Sequence, residues 1–266
     1  MAVRRTFTTC AGAVLVVGAL LLAACSDDKD GASATTVGDL TTTSTTPTSV
    51  TSTSTSEAGA GGAPCPATAD AAVPAAMDSR KIADLDGDGK VDTLYVGMGT
   101  GGTRVFGVVT ASGARSEWSV ANASPVDPQI YGVADANQDG RPEVFVNPGR
   151  IVDVLTLSGC VLRPYLNQQG QPYGFSVGFE DAGTGVGCID ADGDGHRDLV
   201  GLLRKDDVDG KVPWTRTIVT LQGVQARNGA KDSGTYTSPA DDAAIALLSK
   251  VTCGDDAFAD PLTYTP

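Results

Sequence analysis

Three times in this chain acidic side chains fall at alternate positions and a glycine follows: DLDGDGKVD from Asp84, DANQDGRPE from Asp135 and DADGDGHRD from Asp190. Carboxylates crowded into nine residues repel one another, so the chain must either spread them apart or supply something positive between them. Short apolar runs bracket each stretch. Ile82-Ala83, Tyr131 to Ala134 and Val186 to Ile189 precede them, and Leu94 to Val96, Val144 to Val146 and Leu199 to Leu203 follow. A second hairpin pattern of β-branched residues comes next in each unit. It reads TRVFGVVT–ASGA–RSEWSV in the first, RIVDVLTL–SG–CVLRPYL in the second, and VPWTRTIVTL, a glycine turn and VQA in the third. The acidic stretches recur after 51 and then 55 residues, counted from Asp84 to Asp135 to Asp190. Four short strands in a repeat of this length form a propeller blade. The sequence therefore predicts an all-β domain, a small β-propeller of about four blades. A degenerate last blade would begin at Val251-Thr252-Cys253-Gly254-Asp255 and be incomplete or closed by residues near Cys65. An open array of three blades is the alternative.

Side chains at i, i+2 and i+4 of a tight loop converge on one point, and a glycine after the third allows the chain to turn back. The first loop would use Asp84, Asp86, Asp88 and Asp92, and the second Asp135, Asn137, Asp139 and Glu143. The third would use Asp190, Asp192, Asp194 and Asp198. Six or seven hard oxygens suit Ca²⁺, whereas Mg²⁺ demands a stricter octahedron and keeps more water. An EF-hand needs a bidentate acid at the twelfth position and flanking helices. Tyr95, Val146 and Gly201 stand there, between β-rich flanks. The second loop has one carboxylate fewer and is expected to bind most weakly.

An acid at the ninth position between two strands resembles the calcium hairpins of FG-GAP repeats, also called VCBS or integrin-α-like repeats. The resemblance covers three motifs and their strands, within about Arg80 to Ala226. It implies a β-propeller with Ca²⁺ in each hairpin loop. The ligands would be the residues above, with the backbone carbonyls of Lys90, Arg141 and His196 at the seventh positions. The FG-GAP sequence itself is absent, and the repeats are fewer than in an integrin head.

The N-terminus carries an address label. Arg4 and Arg5 precede the apolar run Ala11 to Ala24, which is short for a membrane span of about 20 residues. The run ends in Leu22-Ala23-Ala24-Cys25, which resembles a bacterial lipobox. That resemblance implies cleavage after residue 24, acylation of Cys25 and anchoring to the outer face of the cell membrane. Arg4-Arg5-Thr6-Phe7 also resembles a twin-arginine signal, so the export route, general secretory or twin-arginine, stays open. Residues 25–64 are dominated by Thr, Ser, Gly and Ala, as in TTTSTTPTSVTSTSTS. Such a segment has too little apolar surface to offset its chain entropy and is expected to be a disordered tether. The folded domain then spans residues 65–266.

The whole chain has net charge −13, and removing two arginines with the signal leaves −15. That acidity argues against nucleic acid as a partner, since phosphates would be repelled. Of six cysteines, Cys10 leaves with the signal and Cys25 is the anchor. Cys65, Cys160, Cys188 and Cys253 remain, an even number that implies two disulfides in an exported domain, with the pairing open. His196 is the only histidine and lies inside the third loop, so Ser–His–Asp and Cys–His catalysis have no support. Asp206, Asp207 and Asp209 read as an exposed hairpin tip, and Asp241 and Asp242 as caps of a short helix over Ala243 to Leu248. Trp118 and Trp214 read as packing residues, with sugar stacking the other role for one of them. The composite expectation is a calcium-binding surface lipoprotein that displays its propeller to a glycan or envelope protein. A carbohydrate-active enzyme such as a polysaccharide lyase, with its site among paired aspartates, is one alternative. A purely structural, calcium-stiffened envelope protein is the other.

Overall fold

The computed structural model describes residues 63–121, 124–177, 184–236, 251 and 257–265. Cys25, the Ser/Thr-rich segment, Asp241, Asp242 and Cys253 lie outside the described residues. The described residues belong to one compact unit, Thr55–Pro266, and are all-β, with a single 3₁₀ turn at Thr100–Gly102 as their only helical stretch. Three antiparallel meanders follow one another along the chain, as the repeat predicts. The first is β1 (Asp78–Lys81), β2 (Thr93–Met98), β3 (Thr103–Val109) and β4 (Arg115–Ala121). The second is β5 (Gln129–Ala134), β6 (Glu143–Asn147), β7 (Ile151–Ser158) and β8 (Val161–Pro164), with β9 (Gly174–Ser176) pairing the start of β7. The third is β10 (Gly185–Ile189), β11 (Asp198–Arg204) and the long hairpin β12 (Val212–Gln222) and β13 (Gln225–Tyr236).

The sheets pack face to face in series, and the middle one is covered on both sides. Its β6 shows this residue by residue, because all five side chains are buried. Val144 and Val146 enter a core with Leu94, Val96, Phe106 and Val108 of the first sheet. Phe145, pointing the other way, packs with Val186, Leu199, Val219 and Leu221 of the third. A strand buried on both faces needs an apolar run, which Val144-Phe145-Val146 supplies between the buried polar residues Glu143 and Asn147. The outer face of the first sheet is closed by Tyr95, whose ring lies over Gly107; a Cβ there would stand 2.0 Å from Tyr95 Cζ. Tyr95 donates its hydroxyl hydrogen to Glu117 at 2.7 Å and accepts from Arg115 Nε at 3.0 Å.

The chain ends are tied differently from a separate last blade. The C-terminal strand β14 (Ala257–Thr263) pairs antiparallel with β5, as the edge of the second sheet. Around it, Thr265 N donates to Asp78 Oδ2 at 2.8 Å, and Arg80 donates to the Asp260 carbonyl at 3.1 Å. The segment before β1 forms no strand among the described residues. It runs against the β3–β4 turn, with Thr68 N donating to Gly113 O at 2.9 Å and Ser112 Oγ to Cys65 O at 2.6 Å.

Candidate metal centre

Each acidic stretch is the connection between the first two strands of its sheet, and the three adopt one hydrogen-bond pattern. The first residue accepts from the glycine N–H at the sixth position: Asp84 from Gly89 at 2.6 Å, Asp135 from Gly140 at 2.9 Å, Asp190 from Gly195 at 3.1 Å. The third accepts from the fifth residue's N–H at 3.2, 3.0 and 3.2 Å. The fifth accepts from the seventh, from Lys90 at 2.8 Å, Arg141 at 2.9 Å and His196 at 2.8 Å. The ninth, on the following strand, accepts from the second residue's N–H at 2.8, 2.8 and 3.0 Å. These bonds require the sixth residue to be left-handed, and Gly89, Gly140 and Gly195 have φ of 84°, 83° and 89°, a conformation that glycine reaches without penalty. Backbone N–H groups thus hold the acids of each loop in place, and an ionised carboxylate, with about four lone-pair sites, keeps capacity for a cation.

The first loop is the most enclosed. Asp86 and Asp92 are buried, and each receives a further backbone hydrogen from outside the loop. Cys65 N donates to Asp86 Oδ2 at 3.0 Å, and Ala111 N donates to Asp92 Oδ1 at 2.8 Å. Burial raises the Asp92 carboxyl above its ordinary value, against the lowering effect of the Leu85 and Ala111 hydrogen bonds. One oxygen from each of Asp84, Asp86 and Asp88 lies within 4.8 Å of the others. Asp88 Oδ2 is buried and has no hydrogen-bond partner. Its one cationic neighbour is the Lys90 ammonium at 3.5 Å, on a side chain that is largely exposed. A buried carboxylate oxygen without a hydrogen bond is costly, and a solvated ammonium offsets little of that cost. The donor set is all oxygen and fits a hard divalent ion.

The third loop brings Asp190, Asp192 and Asp194 together in the same way, within the same 4.8 Å, but all three are exposed. His196 is also exposed and enters the pattern through its backbone. Asp198 sits on β11, holding Ala191 N. In the second loop Asp135 and Asp139 keep their places, yet no group of three converging acids forms. Asn137 Nδ2 donates to Asp139 Oδ2 at 3.2 Å, to Glu143 Oε1 at 3.0 Å and to Tyr165 OH at 3.2 Å. Tyr165, fully buried, donates to Glu143 Oε1 at 2.7 Å. The amide therefore bridges the acids that a cation would otherwise bridge. Burial pushes Glu143 up to about 7, opposed by the hydrogen bonds from Tyr165 and Ala136. Gln138, at the loop's fourth position, has φ 60°, and its side chain donates to Arg197 O of the third loop at 3.4 Å.

Cys65 and Cys160 form a disulfide with Cα atoms 5.5 Å apart, linking the segment beside the first loop to the β7–β8 turn. Cys188 is disulfide-bonded as well. Asp206, Asp207 and Asp209 lie in an exposed turn between β11 and β12, where Asp207 accepts from Gly210 N at 2.7 Å. Trp118 stacks on Phe106 with ring centres 5.7 Å apart. Sequence reasoning missed three contributors to the loops: the Cys65 and Ala111 N–H groups and the Tyr165 hydroxyl. Only Tyr165 had a signal, an aromatic ring with a polar tip in the strand pattern CVLRPYL. Compared with protein-family models, with curated proteins and with solved structures, the chain matches none.

Proposed function

We propose that this chain is a calcium-binding surface lipoprotein whose β domain, a small propeller of FG-GAP/VCBS-like blades, is displayed for binding to a glycan or an envelope protein. The reading takes Cys25 as the acylated residue and residues 25–64 as the tether holding the domain off the outer face of the membrane. One observation supports the metal assignment above the others: the buried Asp88 Oδ2, which has no hydrogen-bond partner and has only the largely exposed Lys90 ammonium beside it at 3.5 Å, among three converging acids. Three loops in phase on three successive sheets support a repeat architecture. About four blades or an open array of three both accommodate a C-terminal strand that joins the second sheet. When bound, Ca²⁺ supplies charge neutralisation and fixes the loops; the chain's own carboxylates and loop carbonyls would hold it.

The test is an array of glycans and envelope proteins probed with the full chain in millimolar calcium and again in chelator. Binding to at least one arrayed component, lost or weakened in chelator, is expected. Failure to bind any component, or binding indifferent to chelator, would overturn the reading.

A further inference from the structure

Away from the acidic loops, a cleft of about 930 Å³ opens where all three sheets contribute side chains. The strand register sets its position. Val120 pairs with Arg104 at the end of β3 remote from the first loop, and Asp153 pairs with Val146 near the end of β6 remote from the second. The cleft is therefore at the opposite end of the sheets from the candidate metal loops. Trp118 of the first sheet, Asp153 and Tyr173 from the second, and Asn228 of the third line it, together with Asn167.

Asp153 is the anomaly. Its side chain is 8 % exposed, no hydrogen bond or ion pair to it exists among the described residues, and it is the one acid in the lining. It has room because β9 offers no side chain opposite: a Cβ on Gly174 would stand 2.8 Å from Asp153 Oδ1 and 2.2 Å from Ile151 Cγ2. The walls are fixed. Tyr173 OH donates to Asn228 Oδ1 at 2.6 Å across the second and third sheets. Asn167 Oδ1 accepts from Gln169 N and Gln171 N at 2.9 and 3.0 Å. Buried Arg104 holds the rim by donating to Ser124 O at 2.6 Å and Val126 O at 2.7 Å.

A largely buried carboxylate that opens on the cleft and meets no protein donor is ready to accept one delivered by a ligand. One acid set among amides, aromatic rings and the Arg150 guanidinium does not suit a polycation, which would call for several carboxylates and no cation. It suits a neutral ring bearing many hydroxyls and one apolar face. We propose that this cleft is a saccharide site, in which Asp153 accepts hydrogen bonds from sugar hydroxyls, Trp118 and Tyr173 line the sugar's apolar surface, and Asn167 and Asn228 complete the polar contacts. The inference rests on the ligand-binding reading above and gives it a location and a substrate class.

The experiment uses the calcium-loaded full chain carrying Trp214→Phe, which leaves Trp118 as the only tryptophan. Its fluorescence is titrated with glucose, galactose, mannose, arabinose, N-acetylglucosamine and their disaccharides, and with spermidine as a polycation. At least one should give a saturable change. Asp153→Asn should weaken that sugar about ten- to hundredfold, the loss of a hydrogen bond to a charged group, while melting no lower than its parent. Gly174→Ala should weaken it too, by filling the space beside the carboxylate. No response to any sugar, equal affinity in Asp153→Asn, or a response to spermidine alone would each overturn the saccharide site. Glycan binding on the array that survives Asp153→Asn would remove the cleft and leave the display function standing. Calcium-indifferent binding at the cleft would do the reverse.

Discussion

Asp153 illustrates how one residue can be read twice, as a ligand and as a liability. Burial alone pushes its carboxyl up to about 7 from the ordinary 3.8. The other titratable groups in the cleft are Arg150 and Tyr173, and Tyr173 is itself raised by burial and stays neutral. A raised acid disfavours the folded state once it must ionise. Below its unfolded value it is protonated in both states and contributes nothing; between 3.8 and about 7 stability falls as pH rises; above that the full penalty is present. At about 1.4 kcal/mol per unit, the penalty is on the order of 4 kcal/mol. Asp153→Asn keeps the shape and removes the ionisation, so it should stabilise the ligand-free protein near neutral and alkaline pH and change little at acid pH. Denaturant melts of both proteins across that range test this, and a gain that does not grow with pH would contradict it.

At the level of elements, the acidic loops differ from everything else in being local. All their candidate ligand side chains lie within nine residues, so spacing alone exposed them, and the glycine at the sixth position announced the left-handed turn that the structure contains. The hairpins were legible for the same reason, since β-branched runs about a short turn fix their own register. What was hidden is what sequence-distant residues do together. AFADPLT carries no mark that it will pair with β5 instead of starting a sheet of its own. The lining of the cleft runs from Trp118 to Asn228 with no motif, and the cysteine pairing depended on which turn the segment before β1 would meet. That pairing has a consequence for the first loop, because Cys65 both bonds Cys160 and donates its N–H to Asp86. Cys160→Ser should therefore cost about 2–5 kcal/mol of stability and also reduce the stabilisation that calcium confers. Thermal melts with and without calcium measure both effects, and an unchanged calcium increment would show that the segment before β1 does not support the loop.

For the molecule as a whole, the three loops place charge repulsion at each sheet's first connection, so the fold's stability should be set by what neutralises it. An ion bound by the native state alone contributes RT ln(1 + [L]/Kd), about 2.7 kcal/mol per site at a hundredfold excess over Kd. Extracellular calcium modules bind at roughly 10⁻⁴–10⁻³ M, so millimolar calcium should raise the melting temperature and chelator lower it. A change of 1 kcal/mol moves the melting point by about 2–4 °C in a domain near 200 residues, so the response per occupied site is several degrees. The loops should not respond equally. The first is enclosed and holds a buried Asp88 oxygen that no hydrogen bond reaches, the third converges its acids in the open, and the second already has the Asn137 amide between its acids. Asp88→Ala should thus remove more of the calcium response than Asp194→Ala, and Asn137→Ala should remove least. Asn137→Asp restores to the second loop the carboxylate found in the other two, while withdrawing the donor that holds Asp139 and Glu143 together. It should lower stability in chelator, strengthen the weakest site in a calorimetric titration, and make the melting point more dependent on calcium than in the parent. A protein whose melting ignores both calcium and chelator, and in which Asn137→Asp adds no binding, would leave the crowded carboxylates without the cation that justifies them.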